Sequence, residues 1–261
     1  MYPTVIREGK EVDCNVSVVI PCYNEAKRLD CFSFRTYLMK SPSARLVFVD
    51  DGSKDNTVEV LGKICSGFEH RTFILRCEVN RGKAEAVRLG LLQALKEYNQ
   101  EFVGYWDADL ATPLPVIHCF VELLHARPDI NMVFGSRIKL LGRHVKRDAR
   151  RHYIGRIFAT VVSNILELPI YDTQCGAKLF RVSSGLESIL KEPFLSKWVF
   201  DVEIIARYRR AYGNDLKQLE RMIYEYPLEW WEDVAGSKVR PSDFLIAIFD
   251  VLKIRSKYLK S

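Results

Sequence analysis

Apolar residues fall along this chain in short unbroken runs, each closed by proline, aspartate or asparagine and followed by a longer stretch in which they recur at helical spacing. The first run, residues 15–20, is closed by Pro21, and a continuous apolar run of that length is the pattern of a strand buried on both faces. A helix is expected from Asn24-Glu25-Ala26 to about Met39. Residues 45–49 read as a second strand closed by Asp50-Asp51-Gly52-Ser53, after which Asp55-Asn56-Thr57 supplies an N-cap for a helix from Val58 to about Ser66. Residues 72–76 predict a third strand and 102–106 a fourth, separated by a helix over 83–98 with Ala84, Val87, Leu91 and Leu95 on one face. Strands and helices alternating over short connections predict an α/β fold, a mostly parallel sheet flanked by helices. In such sheets the ligand sits beyond the carboxyl ends of the strands. Residues 21–25, 50–53, 80–83 and 107–109 are therefore expected to converge on one cleft.

Composition narrows the class. With 261 residues, 48% of them hydrophobic, the chain can bury a sizeable core and reads as one domain over 1–261, carrying a basic amphipathic segment at about 137–165 and an amphipathic C-terminal helix at about 243–260. The longest apolar stretches, 16–20, 157–170 and 244–254, are short or interrupted by polar residues. They fall below the roughly 20 apolar residues that span a bilayer, so no membrane crossing is expected. Residues 1–15 lack the basic start and apolar core of a signal peptide, and secretion is not expected. Seven cysteines, at 14, 22, 31, 65, 77, 119 and 175, form no CxxC pair, which points to free thiols in a reducing compartment.

The chemistry gathers at the strand ends. Asp107-Ala108-Asp109 follows an apolar strand, and two carboxylates there put hard oxygen ligands on one divalent cation, which neutralises a diphosphate leaving group. The plain alternative is an acidic turn capping a helix at Pro113-Leu114-Pro115. A second acidic strand end, at 50–53, favours a shared acidic edge. Asn80-Arg81-Gly82-Lys83 opens the third helix with two cations, an anion site or else a solvated basic turn. GxxxxGK[ST] and GxGxxG do not occur, which argues against a P-loop kinase and a dinucleotide oxidoreductase.

In this order Val16-Ser17-Val18-Val19-Ile20-Pro21-Cys22-Tyr23-Asn24-Glu25, 49–57, Asn80-Arg81-Gly82-Lys83 and Asp107-Ala108-Asp109 resemble the successive motifs of the inverting glycosyltransferase family 2. Phe134-Gly135-Ser136-Arg137, Asp172-Thr173-Gln174-Cys175-Gly176 with Ala177-Lys178-Leu179-Phe180, and Phe200-Asp201-Val202-Glu203 resemble the branch that glycosylates polyprenyl phosphates, dolichyl-phosphate β-glucosyltransferases more closely than mannosyltransferases. The match covers about 14–240. It implies a GT-A fold, the Rossmann-like fold of nucleotide-diphospho-sugar transferases, with Mg²⁺ or Mn²⁺ as cofactor, a UDP-sugar donor (UDP-glucose favoured) and a polyprenyl or dolichyl phosphate acceptor. By position, the resemblance implies that Pro21, Tyr23, Glu25, Val49 and Asp51 hold base and ribose, and that Asp107 and Asp109 hold the metal. Arg81, Lys83, Trp106, Ala108 and Lys238 join the nucleotide-sugar contacts, and Arg137, Asp172 and Asp201 join the catalytic set. One departure stands out: where some mannosyltransferase relatives have a glutamine metal ligand, this chain has Ala111.

A phosphate acceptor is largely ionised near neutral pH and attacks the anomeric carbon without a general base. Catalysis then reduces to positioning and charge management. Asp172 has a turn-capping alternative, and Asp201 and Glu203 on a helix over 200–208 have that of a solvated or salt-bridged helix face. Lys139, Arg143, Lys146, Arg147, Arg150 and Arg151 interleave with Leu140, Leu141, Val145, Tyr153 and Ile154, as expected of a helix lying on an anionic membrane. A solvated charged face or a nucleic-acid patch is the alternative, and with a net charge of +6 and no nucleic-acid motif the membrane is favoured. At the C-terminus Phe244, Ile248, Val251 and Leu252 form a second candidate, with core packing as its rival. The expectation is a cytoplasmic enzyme held peripherally at a membrane, with room for a membrane-protein partner. Its rivals are a GDP-mannose-dependent transferase, a transferase to an alcohol with Asp201 or Glu203 as base, and a non-catalytic nucleotide-sugar binder.

Overall fold

The computed structural model describes residues 15–146, 148–233 and 241–259, and of 149–152 and 241–245 the backbone alone. Its elements are β1 (Val16–Cys22), α1 (Cys31–Lys40), β2 (Arg45–Asp50), α2 (Thr57–Cys65), β3 (Thr72–Arg76), α3 (Lys83–Glu97), β4 (Phe102–Trp106), α4 (Val116–Ala126), β5 (Met132–Ser136), β6 (His144–Lys146), α5 (Ala149–Leu166), β7 (Ala177–Arg181), α6 (Ser184–Leu190), α7 (Phe200–Ala211), α8 (Leu216–Met222), β8 (Ile223–Pro227), β9 (Trp230–Glu232) and α9 (Pro241–Ile254), closed by a π-helical turn over Arg255–Leu259. Seven strands form one sheet in the order β3-β2-β1-β4-β7-β5-β8, and β6 pairs with β9 beside it. Within the large sheet β7 runs antiparallel to β4 and β5, and the other pairs are parallel. The mostly parallel α/β sheet expected from the alternation of elements is the fold observed.

Helices cover both faces, which is why the central strands read as unbroken apolar runs. Val19, Val47, Val49, Val103 and Tyr105 face one layer, with α3 and α7. Val18, Ile20, Leu46, Phe48, Phe102 and Trp106 face the other, with α1, α2 and α4. Burying each such side chain contributes about 1.5–3 kcal/mol. At Gly90 in α3 a Cβ would stand 2.8 Å from Val49 Cγ2, so only glycine lets this helix settle onto β1 and β2.

Four details differ from expectation. The first helix begins at Cys31 rather than at Asn24, because Asn24 takes a left-handed φ of 52° and residues 24–30 turn before Asp30 caps the helix, accepting from Ser33 N at 3.1 Å. At α2, Asn56 occupies the cap position without a side-chain cap bond, and Asp55 Oδ1 instead accepts from Thr57 N at 3.1 Å. In the basic segment Val145 is buried rather than exposed, since β6 pairs with β9 there before α5 begins. In α9 Val251 points into the core with Ala247 and Ile254, while Ile246, Phe249 and Leu252 face outward; the single stripe expected through Ile248, Val251 and Leu252 is split between two faces. No two of the six described cysteines are joined by a disulfide. Among the described residues no helix is long and apolar enough to cross a membrane.

Candidate active site

Parallel β1, β2 and β4 all end at one edge of the sheet, and antiparallel β7 begins there. The loops after the first three and the loop before the fourth consequently share that edge. Pro21 and Val49 are register partners on β1 and β2. Beyond them Asp51 N donates to Cys22 O at 2.8 Å, Asn24 N to Ser53 Oγ at 2.9 Å and Glu25 N to Thr57 Oγ1 at 2.9 Å. Asp51 is almost fully buried, and its two carboxylate oxygens accept from Arg81 N and Gly82 N, each at 2.8 Å. The end of β2 is thereby tied to the loop that opens α3. Gly52 is obligatory in that junction: its φ is +70°, and a Cβ would stand 2.8 Å from Asn80 N.

Asp107 and Asp109 leave β4 on the turn that follows it. Asp107 N donates to Gly176 O at 2.8 Å, which brings the loop before β7 against the first carboxylate. Each acid faces a cation: Lys83 Nζ lies 2.5 Å from Asp107 Oδ1, and Arg28 Nη2 lies 2.9 Å from Asp109 Oδ2. Burial and the neighbouring charge of Asp107 push the Asp109 carboxyl above the usual range. Burial pulls the Lys83 ammonium down, but Asp107 beside it outweighs this and leaves it raised. Ala111 contributes only its backbone N–H, to Asp109 Oδ1 at 3.1 Å. Two hard carboxylates, with the glycine at 176 leaving room beside the first, suit a divalent cation. Among the described residues no group of three acids, histidines or cysteines forms around them, so the rest of the coordination shell would be diphosphate and water.

On the far side of β7, Arg137 makes a two-pronged ion pair with Asp172, Nε to Oδ2 and Nη2 to Oδ1, both at 2.7 Å. Asp172 also accepts from Gln174 N at 3.1 Å, so turn capping and a site role coincide. Its own backbone N–H donates to Glu225 Oε1 at 2.7 Å, and Trp231 lies under the guanidinium at 5.3 Å. Deeper in, the Lys178 ammonium is fully buried, 2.8 Å from Asp201 Oδ1, and the Tyr105 hydroxyl donates to the same oxygen. Glu203 is likewise buried, held by Arg207 at 2.7 Å and by Leu195 N at 2.7 Å. Both acids are thus salt-bridged, Glu203 to Arg207 within α7 and Asp201 to Lys178 behind β4.

Not every residue expected in the cleft presents its side chain there. Trp106 is a correction: its indole lies in the core layer with α4 and donates to Thr112 O at 2.7 Å, because Trp106 shares the face of β4 that carries Phe102. Val49 is wholly buried and Ala108 nearly so, and Arg81 reaches the cluster through its backbone while its side chain is exposed. Tyr23 is half-buried beyond the end of β1. Lys238 lies outside the described residues. Arg28 and Glu225 escape the sequence reading, and Lys178 enters it only inside a motif, with no role assigned. The signals available were Arg28 three residues after Glu25, and a lysine set inside the apolar run of β7.

The model of the family described as glycosyl transferase family 2 matches residues 17–185. Among similar proteins, the dolichyl-phosphate β-glucosyltransferase of Saccharomyces cerevisiae is 32% identical over 98% of this chain and 79% of its own. That of Homo sapiens is 31% identical over 94% and 76%, and that of Dictyostelium discoideum 29% over 99% and 79%. Among solved structures, glucosyl-3-phosphoglycerate synthase from Mycobacterium tuberculosis, in complex with Mn²⁺, UDP-glucose and phosphoglyceric acid, superposes with a TM-score of 0.63 at 19% identity over 92% of this chain and 79% of that one. The fold is that of the GT-A glycosyltransferases, and the chain belongs to glycosyl transferase family 2.

Proposed function

We propose that this glycosyltransferase moves glucose from UDP-glucose to dolichyl phosphate or a related polyprenyl phosphate, with inversion and with a divalent cation at Asp107 and Asp109. The donor and acceptor are those suggested by the names of the relatives and by the UDP-glucose and Mn²⁺ in the neighbouring structure. The observation that carries the acceptor class is the state of the two acids an alcohol would need as base. Asp201 is paired with Lys178 and Glu203 with Arg207, all four of them buried. An acceptor that arrives already ionised asks for no base, and a lipid phosphate is such an acceptor.

In this reading the end of β1 and the Asp51 junction take the nucleoside. Both Asp51 oxygens already accept backbone N–H groups, so a base would use their remaining lone pairs. A bound cation supplies Lewis-acid neutralisation of the departing diphosphate. Lys83 adds charge beside it, and Arg137, fixed on two sides by Asp172, steadies the second anion, so that a phosphate oxygen attacks the anomeric carbon from the face opposite the leaving UDP.

Peripheral membrane contact fits the outer surface. Leu141, Tyr153, Ile154 and Ile157 on and before α5, and Ile246, Phe249 and Leu252 on α9, are exposed, and the two helices pack against one another. Arg143 and Lys146 stand nearby but face Glu229 and Glu232 at 2.9 and 3.6 Å, so apolar contact contributes more than those two cations. The deciding assay incubates purified protein with radiolabelled UDP-glucose or GDP-mannose and either dolichyl phosphate or dolichol, scored by organic extraction. UDP-glucose with dolichyl phosphate is expected to give product; transfer to dolichol, or from GDP-mannose alone, overturns the reading.

A further inference from the structure

Arg28 has no part in the chemistry described so far, yet it occupies a telling position. It lies in the turn between β1 and α1, far in sequence from β4, and its guanidinium bridges two carboxylates from different parts of the site. Nη1 reaches Glu25, 3.3 Å from Oε2, and Nη2 reaches Asp109 Oδ2 at 2.9 Å. The third donor, Nε–H, is buried with no hydrogen-bond partner among the described residues. A buried donor without an acceptor carries a desolvation penalty that a ligand oxygen would relieve. The bridge runs from the acid on the nucleoside side to an acid on the metal side, and a diphosphate joining nucleoside to metal has to pass along that line.

Resting on the function proposed above, we infer that Arg28 is a diphosphate-binding residue that stands in for the metal at Asp109 until the donor arrives. A cation entering at Asp109 displaces Nη2 from that carboxylate. The guanidinium keeps Glu25 as its anchor and turns its freed Nη2 and its unpaired Nε–H to a phosphate oxygen, forming the charge-assisted pair for which arginine geometry is suited. Two consequences separate this from a merely structural role. Arg28 opposes metal binding when the nucleotide is absent and supports nucleotide binding when the metal is present.

The test titrates MnCl₂ alone, uridine alone and UDP with saturating MnCl₂ into the parent, Arg28→Gln and Arg28→Lys by calorimetry, with thermal unfolding in parallel. In Arg28→Gln, Mn²⁺ alone is expected to bind several-fold more tightly, uridine to bind unchanged, and UDP with Mn²⁺ to bind about tenfold more weakly, which is about 1.4 kcal/mol. Arg28→Lys keeps the charge without the fork and is expected to leave Mn²⁺ binding near the parent's while recovering only part of the UDP affinity. Unchanged or weaker Mn²⁺ binding in Arg28→Gln overturns the inference, as does an equal loss for uridine and UDP, which would mean a damaged turn. A parent that fails to bind UDP with Mn²⁺ at all would instead sink the functional reading beneath it.

Discussion

Replacing Gly176 by alanine tests the closeness of the loop before β7 to the first carboxylate. Gly176 does not have a positive φ, so the substitution brings no backbone strain and acts through space alone. The new Cβ would stand 2.5 Å from Asp107 Oδ1 and closer still to Oδ2 and Cγ. Carbon and oxygen need well over 3 Å, so the carboxylate must withdraw by about an ångström or more. That movement strains the 2.5 Å pair with Lys83 and separates Asp107 from Asp109 as joint ligands. A misplacement of this size in a positioned group costs about a hundredfold in rate, whereas the overpacking itself costs about 1–3 kcal/mol of stability. The measurements are kcat/KM for glucosyl transfer, Mn²⁺ affinity by electron paramagnetic resonance, and Tm. Gly62→Ala is the control: nothing lies within 4 Å of its Cβ, it sits in helix α2, and it should stabilise by about 0.5–1 kcal/mol with no change in rate. If Gly176→Ala keeps kcat/KM within about threefold of the parent and binds Mn²⁺ equally well, the packing of this loop against Asp107 is not part of the site.

Asp201→Asn leaves the buried Lys178 ammonium without its counter-charge and should cost about 3–5 kcal/mol in denaturant unfolding, a loss under about 1 kcal/mol arguing that the pair does not hold the fold. Because burial and the neighbouring charge of Asp107 raise the Asp109 carboxyl above its ordinary value, Mn²⁺ affinity should fall as the pH is lowered; a folded-state value above the unfolded one means that this protonation favours the folded form, so Tm should not fall in step because of it, and an Mn²⁺ affinity that does not change with falling pH contradicts the shift. Replacing Leu141, Ile157 and Phe249 together by serine should weaken vesicle binding by about a hundredfold, at about 1 kcal/mol each for these exposed side chains. The paired Arg143 and Lys146, changed to glutamine, should cost less than the roughly 1 kcal/mol per cation of free lysines near an anionic surface; a serine variant that sediments with vesicles as the parent does removes the membrane face.

The nucleotide half of the fold was legible because its signals are local. The strands at 72–76 and 102–106 coincide with β3 and β4, and 45–49 lies within β2, since each is an apolar run closed by a polar residue. The start of α1 was not legible, because Asn24 and Glu25 look like a helix opening and only the backbone at φ 52° tells otherwise. Nor was the direction of β7: nothing in Ala177-Lys178-Leu179-Phe180 distinguishes an antiparallel strand from a parallel one. At the candidate site, strand-end position marks out the acids but not their partners. Arg28 with Asp109 and Lys178 with Asp201 join residues remote in sequence, and no spacing encodes such pairs. Trp106 failed for a related reason, as adjacency to Asp107 says nothing about which face of the strand a side chain takes.

The reversed strand β7 has a consequence for the order in which the protein acquires its activity. β1, β2 and β3 pair in chain order and β4 returns to pair with β1, whereas β7 inserts between β4 and β5 only after α4, β5, β6 and α5 have been made. Closing so long a loop is entropically slow, and the contacts that reward it come late. A nascent chain that has reached only α5 already carries Asp107 and Asp109, yet it has neither the Gly176 carbonyl that fixes the Asp107 backbone nor the Asp172 that fixes Arg137. Chemical competence therefore arrives only with the insertion of β7 into the sheet, and a half-synthesised enzyme is an inert one.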